Sequence, residues 1–391
     1  MHPMEGMRVI ALEHAVAAPL CTRHLADMGA DVIKIERPGD GDFARAYDDY
    51  VNGMCSHFIW LNRGKRSVTL DVKNKDARAA LDTLISGADV LVQNLAPGAA
   101  ARLGLTHEAL SAANPKLVVC DISGYGESGP FVQKKAYDLL IQAESGLIIV
   151  TGSEDEPSRV GISIADIATG MYALTGILGA LLRRGRTGQG GNVKIAMLDA
   201  LGEWMTYPML RHAYAGSAPP RVPTNHPAIA PYGAHRTKDG QIIIGLQNER
   251  EWAVFCTKVL GRPDVQTDPR FASQPMRRQN RLALTAVIED LFTTMTSLEV
   301  AALLDEVGIA NGRLNEPIDV WNHVQFSARA KWREIQTEAG PVRALLPPFT
   351  FTDTEAVMGD VPSVGQHTDE VLAEIGFSRE KIAAMRAMAA I

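Results

Sequence analysis

The chain has 391 residues, of which 46% are hydrophobic and 21% charged, with a formal net charge of -6. That length predicts one large domain with a smaller companion, and the composition excludes a disordered or fibrous chain. The mildly acidic balance argues against nucleic acid or an anionic membrane as a partner, since both are held by clustered Lys and Arg.

The first residues run directly into a strand, without the charged and apolar regions of a signal peptide. The longest apolar stretch, residues 171–182, falls short of the roughly 20 residues that span a bilayer. Cys21, Cys55, Cys120 and Cys256 lie far apart, without zinc-ligand spacing, and read as reduced structural thiols. A soluble, cytoplasmic protein without a metal is expected.

The opening reads as a βαβ unit. Residues 8–13 are rich in Val, Ile and Leu, as a strand is. Pro19 suits a first helical position, and Leu20, Leu25 and Met28 form an apolar stripe on a helix that Gly29 caps. Asp31–Glu36 is the next strand. A helix over 77–85 precedes the strand Val90–Gln93, and a helix near Glu108 precedes a strand over 117–122. This alternation predicts an α/β fold with a parallel sheet covered on both faces.

A long helix over 164–182 follows, dense in small residues from Ala165 to Ala180, which suits close helix contact. A turn-rich run over 184–191 separates it from a strand over 193–197 and a helix over 198–214. Residues 216–231 hold five prolines and read as a linker. Beyond it, Lys238-Asp239-Gly240 joins two strands in a hairpin, and helical patterns run over 249–260, 278–294 and 297–307. A smaller α+β domain over 232–330 is predicted. The segment 331–391 has short strand-like pieces and a helix after Thr368, whose Asp369 and Glu370 suit its N-terminal dipole.

Gly124-Tyr-Gly-Glu-Ser-Gly129 matches the dinucleotide fingerprint after a predicted strand. Pro130 and Phe131 do not open a helix, and this is not the first strand-to-helix turn, so a decoy is expected. That first turn, His14-Ala-Val-Ala-Ala18, leads into a helix N-terminus, where free N–H groups favour phosphate. Basic residues recur near the strand ends: Arg37, Lys65, Arg66, Arg102, Lys134 and Lys135. Each alone reads as surface charge; together, at the edge where open α/β sheets bind ligands, they suit a molecule with several phosphates. Asp166 opens the long helix within Gly161-Ile-Ser-Ile-Ala-Asp166-Ile-Ala-Thr-Gly170, where it is either a helix cap or a nucleophile. His14 is equally a structural histidine or a ligand.

Several ordered segments carry a resemblance. They are Asp31-Val-Ile-Lys-Ile-Glu-Arg-Pro-Gly-Asp40, Asn62-Arg-Gly-Lys-Arg-Ser-Val-Thr-Leu-Asp71, Asn94-Leu-Ala-Pro-Gly98, Ser123-Gly-Tyr-Gly126, Ala136-Tyr-Asp-Leu-Leu-Ile-Gln-Ala-Glu-Ser-Gly146, the Asp166 segment, and Gly365-Gln-His-Thr-Asp-Glu-Val-Leu372. Together they resemble the family III CoA-transferases, the group with formyl-CoA and carnitine CoA-transferases. The resemblance implies an interlocked homodimer. Each subunit has a Rossmann-like large domain (residues 1–215), to which residues 331–391 return, and the small α+β domain beyond the linker. It places the catalytic aspartate on Asp166, and CoA contacts on or beside His14, Val16, Ala17, Arg37, Lys65, Asn94, Leu95, Arg102, Lys135 and Tyr137. It also implies acyl-CoA and a small carboxylic acid as substrates, with no tightly bound cofactor.

An aspartate of ordinary pKa near 4 is ionised at neutral pH, so Asp166 is expected to attack without a base. Mixed anhydrides and an aspartyl-CoA thioester would follow. Where the formyl-CoA branch carries a glycine run, this chain has Gly245-Leu-Gln-Asn-Glu-Arg-Glu-Trp252, which speaks against formate or oxalate. The region Asn225-His-Pro-Ala-Ile-Ala-Pro-Tyr232 resembles a branch acting on dicarboxylates such as itaconate, mesaconate or citramalate, with succinyl-CoA as donor. Arg45, Arg221, His226 and Arg250 are candidate partners for the second carboxylate. The alternatives are an acyl-CoA racemase or epimerase, disfavoured because such enzymes carry His where Tyr137 stands, and a non-catalytic acyl-CoA-binding protein.

Overall fold

The computed structural model describes residues 1–391. The chain divides into two compact units: the first comprises residues 1–147, 160–207 and 328–391, the second residues 148–159 and 208–327. The sequence pattern divides at 215, 231 and 330 instead, because nothing in it marks 148–159 as an excursion into the second unit.

In the first unit, β1 (Arg8–Leu12), β2 (Asp31–Glu36), β3 (Lys65–Thr69), β4 (Val90–Gln93), β5 (Val118–Ser123) and β6 (Gly191–Ala196) form a six-stranded sheet in the order β3-β2-β1-β4-β5-β6. Every pairing is parallel. The apolar runs of β1, β2, β4 and β5 bury both faces, as helix-covered strands must. On one face Ile10, Ile33, Leu91 and Val119 pack with Leu81 of the helix Lys75–Ser86 and with Val371 and Met385 near the carboxyl end. On the other, Val9, Val32, Val92 and Cys120 pack with Leu25 of the first helix (Ala17–Asp27) and Ile177 of the long helix (Ile164–Thr187). The strand order reverses between β1 and β4, the switch point at which such sheets open a crevice.

Several elements differ from the sequence reading. β3 is an additional strand, concealed because it opens on Lys65 and Arg66. The first helix starts at Ala17, so Pro19 sits third in it. The N–H that Pro lacks still has no intrahelical partner there. The long helix runs to Thr187, where Gly188 (φ 72°) ends it in the left-handed conformation that glycine permits. At 24 residues it is long and apolar enough to cross a membrane by length and composition, unlike the shorter stretch read from the sequence. Its residues Ala165, Ala168, Ala173 and Ile177 are buried in the core of this unit, whereas Met171, Leu178 and Leu182 are exposed.

The second unit contains an antiparallel sheet of β7 (Tyr232–Arg236), β8 (Gln241–Gly245) and β9 (Ala310–Arg313), packed by helices around Trp252, Phe255, Phe271 and Phe292. The hairpin falls where Asp239-Gly240 places it. In the first unit, β10 (Trp332–Thr337) and β11 (Gly340–Leu345) pair as a second hairpin.

Two buried histidines link the fold to pH. Burial pushes His24 down to about 3, aided by Arg23 and Arg63, and pushes His235 down to about 4. Both imidazoles stay neutral when folded, while the unfolded chain takes up protons below about 6.5. Their contribution is therefore complete above that pH and is lost as the pH falls toward 4. Thermal unfolding between pH 7.5 and 4.5 should show His235→Gln gaining on the wild type as the pH drops. A difference independent of pH would contradict this.

Candidate active site

A cavity of about 660 Å³ opens at the carboxyl ends of β1, β2 and β3. His14, Arg37, Phe43, Val72, Lys73 and Leu95 are among its walls. Arg37 and Lys73 are exposed cations on these walls; of the lining carboxylates, Glu13, Glu36 and Asp42 are paired with Lys65, Arg45 and Lys34, and Asp71 accepts from the Lys73 N–H. The adjoining first helix has no side-chain cap at its N-terminus, which leaves its first N–H groups to a ligand.

A buried charge network shapes the turn beside this cavity. The Lys34 Nζ donates to Asp42 Oδ2 at 2.8 Å and lies 3.5 Å from Glu13 Oε1, all three side chains being inaccessible or nearly so. The second oxygen of Asp42 accepts from the Ala15 N–H at 3.3 Å. Asn94 grips the neighbouring residue from both sides: its Oδ1 accepts from the His14 N–H at 3.0 Å and its Nδ2 donates to the His14 carbonyl at 2.9 Å. Ala15 is held at φ 61°, a left-handed conformation costing an L-residue roughly 1–2 kcal/mol. The two side-chain clamps maintain that turn.

The long helix, which Asp166 opens, packs on the first helix beside this turn. At Gly170, one turn beyond Asp166, a Cβ would lie 2.6 Å from the Ala17 carbonyl oxygen, so only glycine allows the two helices to approach this closely. Ile167 and Ala15 both pack on the cluster of Val16, Leu20 and Leu61. Asp138, first residue of the helix Asp138–Glu144, caps the long helix from outside. Its Oδ1 accepts from the N–H groups of Ala165 at 2.8 Å and Asp166 at 3.3 Å. Gln142, fully buried, donates to the other Asp138 oxygen at 2.7 Å and accepts from the Val160 N–H at 2.9 Å, which fixes the approach to the helix.

These contacts leave Asp166 half-buried beside a second carboxylate. Burial, and after it the charge of Asp138, pushes its carboxyl up to about 7. This differs from the expected aspartate of ordinary pKa: the neutral acid is favoured well above the usual carboxylate range. Tyr47 lies within electrostatic reach. Burial raises its hydroxyl to about 12, with Asp42, Asp166 and Tyr137 adding to the effect. The sequence reading missed Tyr47, Val72 and Lys73. The last two follow β3 and could have been found only with that strand in place.

Of the expected CoA contacts, His14, Arg37 and Leu95 line the cavity, and Val16 and Ala17 form the buried turn beside Asp166. Tyr137 is exposed just before Asp138, while Arg102 and Lys135 are exposed away from the cavity lining. Asn94 is spent on the His14 backbone. Lys65 departs most from expectation. It stands at the amino end of β3, fully buried, with Nζ donating to Glu13 Oε1 at 2.6 Å, the Pro19 carbonyl at 3.0 Å and Asn62 Oδ1 at 3.0 Å. All three of its donors are used within the protein.

The candidate carboxylate readers are also engaged. Arg45 pairs with both oxygens of Glu36, at 2.9 and 2.7 Å. In the second unit, Arg221 donates to the carbonyls of Ser153, Ile149 and Glu154, and His226 Nδ1 accepts from the Ala228 and Ile229 N–H groups. Arg250, also there, is exposed. The glycine-rich segment after β5 is irregular, and the next helix opens only at Asp138, so it forms no dinucleotide-binding turn.

A doubly wound sheet with a cationic cavity at its carboxyl edge, next to a desolvated carboxylate, defines an α/β protein suited to a phosphate-bearing ligand and nucleophilic chemistry. Residues 4–368 match the family model described as CoA-transferase family III, and the chain belongs to that family. It is 32% identical to a succinyl-CoA:glutarate CoA-transferase of Mus musculus, over 96% of this chain and 87% of that one. It is likewise 32% identical to a formyl-CoA:oxalate CoA-transferase of Escherichia coli O157:H7, over 98% of both. A crystal structure of a CAIB/BAIF family protein from Brucella suis superposes with a TM-score of 0.87 at 33% identity, covering 96% of this chain and 99% of that one. The protein is thus an enzyme, a CoA-transferase with CoA thioesters as substrates.

An acid that binds its proton more tightly folded than unfolded weakens the fold as the pH rises from about 4 to about 7, and by a constant amount above. Asp166→Asn should therefore gain melting temperature over the wild type between pH 5 and 8. The kcat/KM of the wild type should rise with a limb near pH 7, and Asp138→Asn, whose amide oxygen can still cap the helix, should move that limb to lower pH. A limb unmoved in Asp138→Asn would show that the two carboxyls do not interact.

Proposed function

We propose that the enzyme transfers CoA from a donor such as succinyl-CoA to a small dicarboxylic acid, with Asp166 as nucleophile. The observation that carries this reading is a half-buried carboxylate of raised pKa at the start of the long helix, whose neighbour Ile167 packs on the cluster of Val16 and Leu20 at the start of the first helix, next to the cavity. The cavity takes the phosphate-bearing part of CoA, with Arg37 and Lys73 as counter-ions.

A carboxylate oxygen of Asp166 attacks the donor thioester carbonyl; the C–S bond breaks, giving a mixed anhydride and CoA thiolate. The thiolate then attacks the aspartyl carbonyl, releasing the donor as a free carboxylate and leaving an aspartyl-CoA thioester. The acceptor carboxylate displaces the thiolate to form a second anhydride. Attack of the thiolate on the acceptor carbonyl yields the new acyl-CoA and regenerates Asp166. Desolvation raises the energy of the aspartate ground state and strengthens its attack once it is ionised. The uncapped N–H groups of the first helix serve as backbone donors for the oxyanions.

The dicarboxylate reading draws support from the relatives, whose acceptors by name are glutarate and oxalate. The C5 diacids itaconate, mesaconate and citramalate remain the preferred class, with glutarate beside them. An epimerase would need a pair of acid–base groups at the substrate α-carbon; Asp166 supplies only one, since Tyr137 stands where such enzymes carry His and Tyr47, with its hydroxyl at about 12, is a poor base. The four free cysteines are all buried, which suits a reducing cytoplasm. The exposed Met171, Leu178 and Leu182 offer an apolar face to a second copy in a homodimer.

Mixing the enzyme with acyl-CoA and then hydroxylamine should convert Asp166 to its hydroxamate, detected by peptide mass spectrometry. Asp166→Ala should lose at least about 10³-fold in transfer rate. Succinyl-CoA should charge at least one of itaconate, mesaconate, citramalate or glutarate. Labelling elsewhere would displace Asp166 from its role, and transfer confined to monoacids would displace the diacid reading alone.

A further inference from the structure

A second cavity, of about 210 Å³, lies in the first unit away from the sheet edge and shares no wall residue with the site above. Its walls include Met28, Leu346, Phe349 and Phe351, together with three cations close in sequence, Arg329, Lys331 and Arg333. Lys331 is 8% exposed, and its Nζ is buried without a hydrogen-bond partner. A buried ammonium normally satisfies its donors on carbonyls or carboxylates, as Lys34 and Lys65 do, because an unpaired one is costly.

Neither carboxylate of the walls pairs with it. Asp27 is gripped by Arg63 through two bonds of 2.8 Å, with Arg23 at 3.6 Å, and Glu355 lies 3.8 Å from Arg333. With those pairs matched, Lys331 and Arg329 remain as surplus positive charge. The Arg23 side chain adds a buried, unpartnered Nε next to Asp27. The backbone at Ala330, between the two surplus cations, is held at φ 48°, a conformation an alanine adopts only under constraint. The volume is below that of pockets for drug-sized ligands, about 300–1,000 Å³, and far too small for CoA. Apolar walls with a surplus buried cation fit an organic anion of metabolite size.

We propose that this cavity is a second ligand site, taking a small organic anion with one carboxylate or phosphate group, with Lys331 as its counter-ion. Anion binding here satisfies the orphan ammonium and stabilises the folded chain. The test is thermal unfolding of the full chain at constant ionic strength with succinate, butyrate or inorganic phosphate, and with neutral succinamide as control. At least one of the anions should raise the melting temperature of the wild type and of Arg37→Ala, and succinamide should not. Lys331→Met should lose that response by at least tenfold in apparent affinity, while Lys331→Arg retains it. If Lys331→Met does not fold, Lys331→Gln is titrated with the same anions by calorimetry. A response to the carboxylates alone or to phosphate alone identifies the group bound. The proposal falls if no anion binds the wild type, if Lys331→Met responds fully, or if the response vanishes in Arg37→Ala and persists in Lys331→Met, since binding would then lie in the sheet-edge cavity.

Discussion

The active-site edge depends on the buried ammonium of Lys34, held between Glu13 and Asp42. Taking three charges out of water costs several kcal/mol per ion before any attraction is counted, so such a cluster is weak evidence for stability as such. Its consequence here is geometric. The Asp42 oxygen that does not face Lys34 is directed at the Ala15 N–H, and Ala15 adopts a conformation that an alanine would otherwise leave. Asn94 clamps the preceding peptide. Strain in the turn, rigidity around it and an uncapped helix start behind it form one arrangement, in which the charge network fixes where the first helix begins.

The long helix meets that arrangement through an absence, the missing Cβ of Gly170, and through a surplus, the second carboxylate of Asp138. Both act in the same direction on the Asp166 carboxyl. Close packing on the first helix removes water from Asp166, which favours the neutral acid. The Asp138 cap, which satisfies the N–H groups of Ala165 and Asp166, adds a like charge that favours it further. A helix N-terminus normally stabilises an anion. Here that stabilisation goes to Asp138, and Asp166 is left as the poorly solvated member of the pair. A carboxylate in that position gains by becoming an ester or anhydride, since acylation removes the charge that burial penalises.

The parts of this design differed in how far they could be read from the chain itself. Asp31–Glu36 and Val90–Gln93 are recognisable because Val and Ile fill both faces of a covered strand and Gly or Asp punctuates each end. β3 is not, because Lys65 and Arg66 look like loop charges. Their partners, Glu13 at a separation of 52 residues and Glu374 at 308, exist only once the chain has folded. The same reason concealed the turn after β3, and with it Val72 and Lys73. Asp166 was singled out as the candidate nucleophile through family resemblance. Its pKa could not be foreseen, because the neighbouring charge comes from a residue 28 positions earlier on another helix. Periodicity also overran the helix over 198–214, which is interrupted at Met205, and stopped short of Thr187 on the long helix. Local pattern reports which residues are apolar and not how far a neighbouring element supports them.

Several of the basic residues singled out in the sequence are consumed by the fold: Lys65 by Glu13, Arg45 by Glu36, Arg66 by Asp31 and Glu374. This sorting follows from the energetics of burial, in which a cation withdrawn from water must find an anion nearby, whereas one at the rim need not. Arg37 and Lys73 stay at the rim, hydrated and available, so a polyphosphate ligand meets charges that no internal carboxylate has neutralised. Affinity at such a site comes from the few cations the fold leaves unpaired and not from the number present in the sequence. By that measure Lys331, buried and yet unpaired, breaks the rule that every other fully withdrawn lysine in the chain obeys.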